Sequence, residues 1–141
     1  MINAAKIDTV NSFMLVDDDS INNMLCTYLI EDAFENADIE SFEKPLLALD
    51  AIKNGIDEPG KNAPTVLFLD INMPMMSGWD FLDVYKDFSD NIHKRFTIYI
   101  LSSSVDHRDE ERAINNPLVA GFLSKPLDAD YFKQMLDNAK Q

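Results

Sequence analysis

Five short apolar runs punctuate the chain, and between most of them apolar residues recur at spacings of three and four. The runs are Ser12 to Val16, Asp38 to Phe42, Val66 to Leu69, Phe96 to Leu101 and Val119 to Leu123. Val66 to Leu69 has no helical spacing and no polar interruption, the pattern of a strand buried on both faces. Phe96 to Leu101 is β-branched and aromatic, which also favours a strand. Asp38 to Phe42 is the weakest of the five, because Ile39 and Phe42 do not alternate cleanly, and it predicts an edge strand.

The helices follow from the intervening patterns. Ile21, Met24, Leu25, Tyr28 and Leu29 predict a helix packed through that stripe and ending near Phe34. Pro45 suits a first helical turn, and Leu46, Leu47, Leu49, Ala51 and Ile52 carry a second helix to Gly55. Ser77, with Asp80 three residues later, forms a capping-box start for a third helix bearing Trp79, Leu82, Val84, Tyr85 and Phe88. Asp106 to Ile114 is charged nearly all round and predicts a helix with a thin apolar face, stopped by Asn115, Asn116 and Pro117. Tyr131, Phe132, Met135 and Leu136 predict a final helix. Residues 1–11 show no clear periodicity and read as a flexible arm preceding one domain over 12–141, and residues 56–64 read as a polar loop with a Pro-Gly turn.

Strands alternating with helices imply a parallel sheet covered on both faces, since each parallel return needs a crossover. The expected architecture is a doubly wound three-layer α/β sandwich with a five-stranded, flavodoxin-like sheet in the order 2-1-3-4-5. At 141 residues, 46% hydrophobic and with four glycines and six prolines, the chain is long and apolar enough for one core and too poor in Gly and Pro for a low-complexity segment. Twelve basic against twenty-five acidic residues leave a net charge of −13, which opposes attraction to nucleic acid or an anionic membrane. The single cysteine, Cys26, has no disulfide partner, and the expectation for it is a buried structural thiol. No apolar run approaches the roughly 18 residues of a membrane span and the N-terminus lacks a signal-peptide core, so a cytoplasmic location is expected.

The chemistry lies where the strands end. In open parallel sheets ligands bind at the carboxyl ends of the strands, near the point where strand order reverses. Strands one, three, four and five end in Asp17 and Asp18, Asp70, Ser102 and Lys125 respectively, so the topology gathers them at one edge. Crowded carboxylates repel and raise at least one pKa unless a cation intervenes, and oxygen ligands of this kind suit Mg²⁺. Lys125 adds a compact positive charge and Ser102 a hydroxyl. Such a set neutralises a transferring phosphoryl group while one carboxylate attacks phosphorus in line. Asp70, on the central strand, is the expected nucleophile. Asp17 and Asp18, being adjacent, are better placed to share a metal. Lys125 precedes Pro126, which restricts its backbone and permits a cis bond.

The segments Leu-Val-Asp-Asp-Asp, Leu-Phe-Leu-Asp-Ile-Asn-Met-Pro-Met-Met-Ser-Gly, Ile-Leu-Ser-Ser-Ser and Gly-Phe-Leu-Ser-Lys-Pro-Leu, in this order and spacing, resemble the receiver domain of two-component response regulators from about Phe13 to Ala139. The resemblance implies phosphoryl transfer from a sensor histidine kinase or histidine phosphotransfer protein to Asp70, with the domain assisting its own phosphorylation rather than turning over a substrate. It implies a Mg²⁺ site of Asp17, Asp18, Asp70 and the backbone carbonyl of Asn72. It makes Ser102 the hydroxyl switch residue, Lys125 the phosphoryl-binding lysine and Phe122 the aromatic switch position, where a phenyl ring lacks the hydroxyl of the tyrosine alternative and core packing competes as its role. Asn72 and Ser104 stand where they would influence water attack on the phosphoaspartate. No output domain is expected after the last helix, so signalling is expected through protein contacts with an unknown downstream target. Alternatives within the resemblance are a relay intermediate that passes the group to a phosphotransfer protein, or a receiver-like binding module that is not phosphorylated. A haloacid-dehalogenase-type phosphatase wants a second acid where Asn72 stands, and a flavodoxin-type FMN binder wants a hydroxyl- and glycine-rich loop where the three aspartates stand.

Overall fold

The computed structural model describes residues 11–55, 63–103, 106–130, 132 and 134. Ten elements follow in order: β1 (Ser12–Val16), α1 (Ser20–Ala33), β2 (Asp38–Phe42), α2 (Pro45–Asn54), β3 (Thr65–Leu69), α3 (Gly78–Tyr85), α4 (Asp90–Arg95), β4 (Phe96–Ser102), α5 (His107–Ile114) and β5 (Val119–Ser124). Residues 129, 130, 132 and 134 are also helical. The remaining residues named for the final helix, Tyr131, Met135 and Leu136, lie outside the described residues, as do residues 1–10 of the arm, residues 56–62 of the polar loop and Ser104.

The strands form one parallel sheet in the order β2-β1-β3-β4-β5, with β2 at an edge and β3 at the centre. All five residues of β3 are buried, whereas none of β2 is fully so, which is why β3 reads as a continuous apolar run and β2 as a weak one. Alternate residues serve opposite faces. Met14, Val16, Leu67, Leu69, Ile98 and Ile100 pack with Ala48, Leu49 and Ile52 of α2 and with Phe81, Leu82 and Tyr85 of α3. Phe13, Leu15, Val66, Phe68 and Leu101 pack with Cys26 and Ile30 of α1 and with Phe132. These two cores on either side of one sheet make the three layers, and each fully buried Leu, Ile or Phe contributes roughly 1.5–3 kcal/mol of transfer free energy.

Two helices bury only part of the face that their apolar spacing predicts. In α1, Ile21, Met24, Leu25 and Tyr28 of the expected stripe are 47–64% exposed and Leu29 alone packs on the core, while Asn22, Asn23, Cys26 and Ile30 are buried. The inward face of α1 begins beside the strand-end carboxylates, and there the interior needs hydrogen-bond donors more than it needs alkyl groups. In α2, Leu46 and Leu47 are exposed and the buried set is Ala48, Leu49 and Ile52. A short helix, α4, was not expected. Ser89 caps it by accepting from the Ile92 N–H, and Ile92 is its one buried residue.

The capping box at α3 is present as read: the Ser77 hydroxyl accepts from the Asp80 N–H and the Asp80 carboxylate accepts from the Ser77 N–H, both at 3.1 Å. Gly78 is required there for space, since a Cβ would lie 2.6 Å from the Asp70 carbonyl oxygen and 2.8 Å from the Ile71 Cα. Among the described residues no helix is long and apolar enough to cross a membrane.

Candidate functional site: a strand-end acid cluster

The ends of β1 and β3 stay in register beyond the last strand residue, because the Asp70 N–H donates to the Val16 carbonyl at 2.9 Å and the Asp17 N–H to the Phe42 carbonyl at 3.0 Å. Asp17 and Asp70 are therefore fixed side by side, and both are buried, at 3% and 4% exposure. Asp18 is exposed at the rim. Carboxylate oxygens of Asp17, Asp18 and Asp70 lie within 4.8 Å of one another, a set of hard oxygen donors that suits a small divalent cation.

The third acid of the run has a different task. Asp19 is the N-cap of α1, its carboxylate accepting from the N–H groups of Ile21 and Asn22 at 3.0 and 3.2 Å. Its own N–H donates to Asp17 Oδ1 at 2.9 Å. The start of α1 is thus tied to the acid pair.

Lys125 enters from the end of β5. Its backbone N–H donates to the Ser102 carbonyl at 2.8 Å, joining the ends of β4 and β5, and the Lys125–Pro126 peptide is cis. The ammonium lies 2.6 Å from Asp17 Oδ2 and 3.6 Å from Asp70 Oδ2, so in this state it pairs chiefly with Asp17. Burial works against its charge, but the Asp17 hydrogen bond and the charges of Asp17 and Asp70 outweigh burial and leave its pKa raised. The Asp70 pKa is raised as well: burial first, and then the negative charge of Asp17, push its carboxyl from the ordinary 3.8 up to about 6, against the opposing Asn72 N–H and Lys125. The Asn72 N–H donates to Asp70 Oδ1 at 3.2 Å.

Of the residues expected from sequence, Asp17, Asp18, Asp70 and Lys125 meet at one point. Ser102 ends β4, wholly buried, at the neighbouring strand end, and Asn72 is exposed on the loop after Asp70. Phe122 is half-buried and packs against the core on the α3 side of the sheet, paired in register with Ile100. Two residues were missed. The Asn22 side-chain NH₂ donates to Asp17 Oδ2 at 2.9 Å, and that of Asn23 to the Asp17 carbonyl, also at 2.9 Å. Their signal in the sequence is a polar pair, five and six residues after the first acid, inside a helix with apolar residues on both sides. Cys26 lies behind them, buried, with its thiol pushed up to about 11 by burial and by the Asp17 charge, which suits an inert structural thiol.

A family model, the response regulator receiver domain, matches residues 13–137. Among solved structures, a two-component response regulator from Cytophaga hutchinsonii is 30% identical, with a TM-score of 0.79 over 91% of this chain and 95% of that one. A response regulator receiver protein from Dyadobacter fermentans is 26% identical, with a TM-score of 0.77 over 90% of this chain and 95% of that one. Since the family match takes in the end of β1, all three acids and the other four strands, the chain belongs to the response regulator receiver domain family.

Proposed function

We propose that this domain accepts a phosphoryl group on Asp70 from the phosphohistidine of a sensor kinase or phosphotransfer protein, and that the phosphorylated domain signals through contacts with a downstream protein. The observation that carries this reading is the meeting of Asp17, Asp18 and Asp70 with Lys125 at the strand ends. The carboxylates of Asp17, Asp18 and Asp70, with the backbone carbonyl of Asn72, would hold a Mg²⁺ ion. Bound there, the cation supplies charge neutralisation to the phosphoryl oxygens and to the acids themselves.

In the transfer, an Asp70 carboxylate oxygen forms the new P–O bond as the P–N bond to the donor imidazole breaks, and the electron pair returns to the imidazole nitrogen. Lys125, already within 3.6 Å of Asp70, turns to a phosphoryl oxygen, and the Ser102 hydroxyl donates to another. Phe122 serves as core packing and as the aromatic position that responds to Ser102. A protein donor is favoured by the exposed stripe Ile21, Met24, Leu25 and Tyr28 on α1, which begins four residues after Asp17 and offers a helix partner an apolar face.

The test is intact-mass measurement after incubation with Mg²⁺ and acetyl phosphate, beside Asp70→Asn. One phosphoryl group gained by the wild type, and lost in the variant and in chelator, is the expected result. No adduct, together with no binding of the phosphoryl analogue beryllofluoride, would overturn the phosphoacceptor reading.

A further inference from the structure

We propose that Asn22 is a positioning residue for Asp17, holding its carboxylate in the cation-binding orientation when Lys125 leaves it for the incoming phosphoryl group. This inference rests on the phosphoacceptor reading above.

Asp17 Oδ2 takes two donors, the Asn22 amide at 2.9 Å and the Lys125 ammonium at 2.6 Å, while Oδ1 takes the Asp19 N–H at 2.9 Å. An ionised carboxylate has roughly four acceptor sites, so about one is left for a cation. The two donors on Oδ2 differ in kind. Lys125 is a point charge on a flexible stem, already shared with Asp70, and phosphoryl transfer requires it elsewhere. Asn22 is short, buried at 8% exposure and carried on a helix whose first turn is capped by Asp19. Its amide nitrogen also faces Cys26 Sγ at 3.7 Å, too weak an acceptor to turn it away. A carboxylate only accepts hydrogen bonds, so the NH₂ end of the amide must be the end that faces Asp17.

Once Lys125 moves, Asn22 is the donor that remains on Oδ2. Without it that oxygen would be buried with no partner, and the carboxylate would rotate or keep Lys125 to itself. Either outcome weakens the acid pair as a cation site. Asn23 does not share this role, because it holds the Asp17 backbone carbonyl and not the carboxylate. Outer-shell partners of this sort typically change metal affinity by about ten- to a hundredfold.

The experiment uses the full chain, with Asn22→Leu, close in size and without a donor, and Asn22→Ala, which leaves room for water should the leucine variant fail to fold. Mg²⁺ is titrated by calorimetry with beryllofluoride present, which stands in for the phosphoryl group and draws Lys125 from Asp17. The acetyl-phosphate adduct is followed by mass at several Mg²⁺ concentrations, and the thermal midpoint is recorded in chelator. The expected result is a Kd for Mg²⁺ raised by about tenfold or more, a slower approach to the adduct, and a midpoint that changes little because Lys125 and the Asp19 N–H still hold Asp17. A Kd indistinguishable from wild type in a folded variant, with or without a lowered midpoint, would make Asn22 merely structural and overturn the inference. A wild type that neither binds Mg²⁺ nor forms the adduct overturns the phosphoacceptor reading instead, and this inference with it.

Discussion

Asp70 carries a proton more tightly in the folded protein than in the unfolded chain, because it is buried against Asp17. With its carboxyl raised from 3.8 to about 6, folding takes up a proton between those values, so the stability contributed by this group falls as pH rises through that window and stays lost at neutral pH. Partial solvent access and the nearby Lys125 limit the cost to roughly 1–2 kcal/mol. Asp70→Asn, in chelator, is therefore expected to be more stable than wild type at neutral pH by about that amount, and to lose the advantage below about pH 4. Urea denaturation on either side of the window checks this. Mg²⁺ competes with the same proton, and its apparent affinity should weaken below about pH 6. At this scale the acids, the serine and the lysine were readable from sequence because strand ends are easy to locate. The preference of Lys125 for Asp17 over Asp70 was not, since it depends on one ångström of difference between two contacts.

Among the elements, α1 illustrates how apolar spacing misleads near a polar site. Ile21, Met24, Leu25 and Tyr28 share one face at spacings of three and four, but Asn22, Cys26 and Ile30 share another at spacings of four. Hydropathy selects the first, whereas the carboxylate of Asp17 requires the second. The strands had no such ambiguity, because β1, β3 and most of β4 are buried on both faces and need no period to be recognised. Helix α4 escaped notice because six mostly polar residues are too few to show one. The exposed face of α1 leads to an expectation of its own: Leu25→Glu should slow transfer from a phosphohistidine donor protein by about tenfold, the effect of losing roughly 1.4 kcal/mol at an interface anchor. Phosphorylation by acetyl phosphate should be unchanged, and time courses with the two donors in parallel distinguish a docking defect from a chemical one.

For the molecule as a whole, the net charge of −13 sets the background against which any cation acts. Self-repulsion disfavours the compact state at low ionic strength, and it is screened within about 8 Å at ~0.15 M salt. The thermal midpoint is expected to rise with sodium chloride in wild type and in Asp18→Asn alike. The further rise on adding Mg²⁺ at constant ionic strength should shrink in Asp18→Asn only, and scanning calorimetry separates the two increments. The three-layer order was legible because it follows from strand count and crossover geometry, whereas the helix faces depended on what each met inside. One consequence of the packing concerns observation. Trp79, the single tryptophan, follows Gly78 at the point where α3 abuts the backbone of Asp70, and its ring lies 4.5 Å beneath the guanidinium of Arg112 on α5, a helix with only Ala113 buried. The chain thus has a native fluorophore between its acceptor loop and a helix that buries one residue, and indole emission reads the spacing of the two without a label.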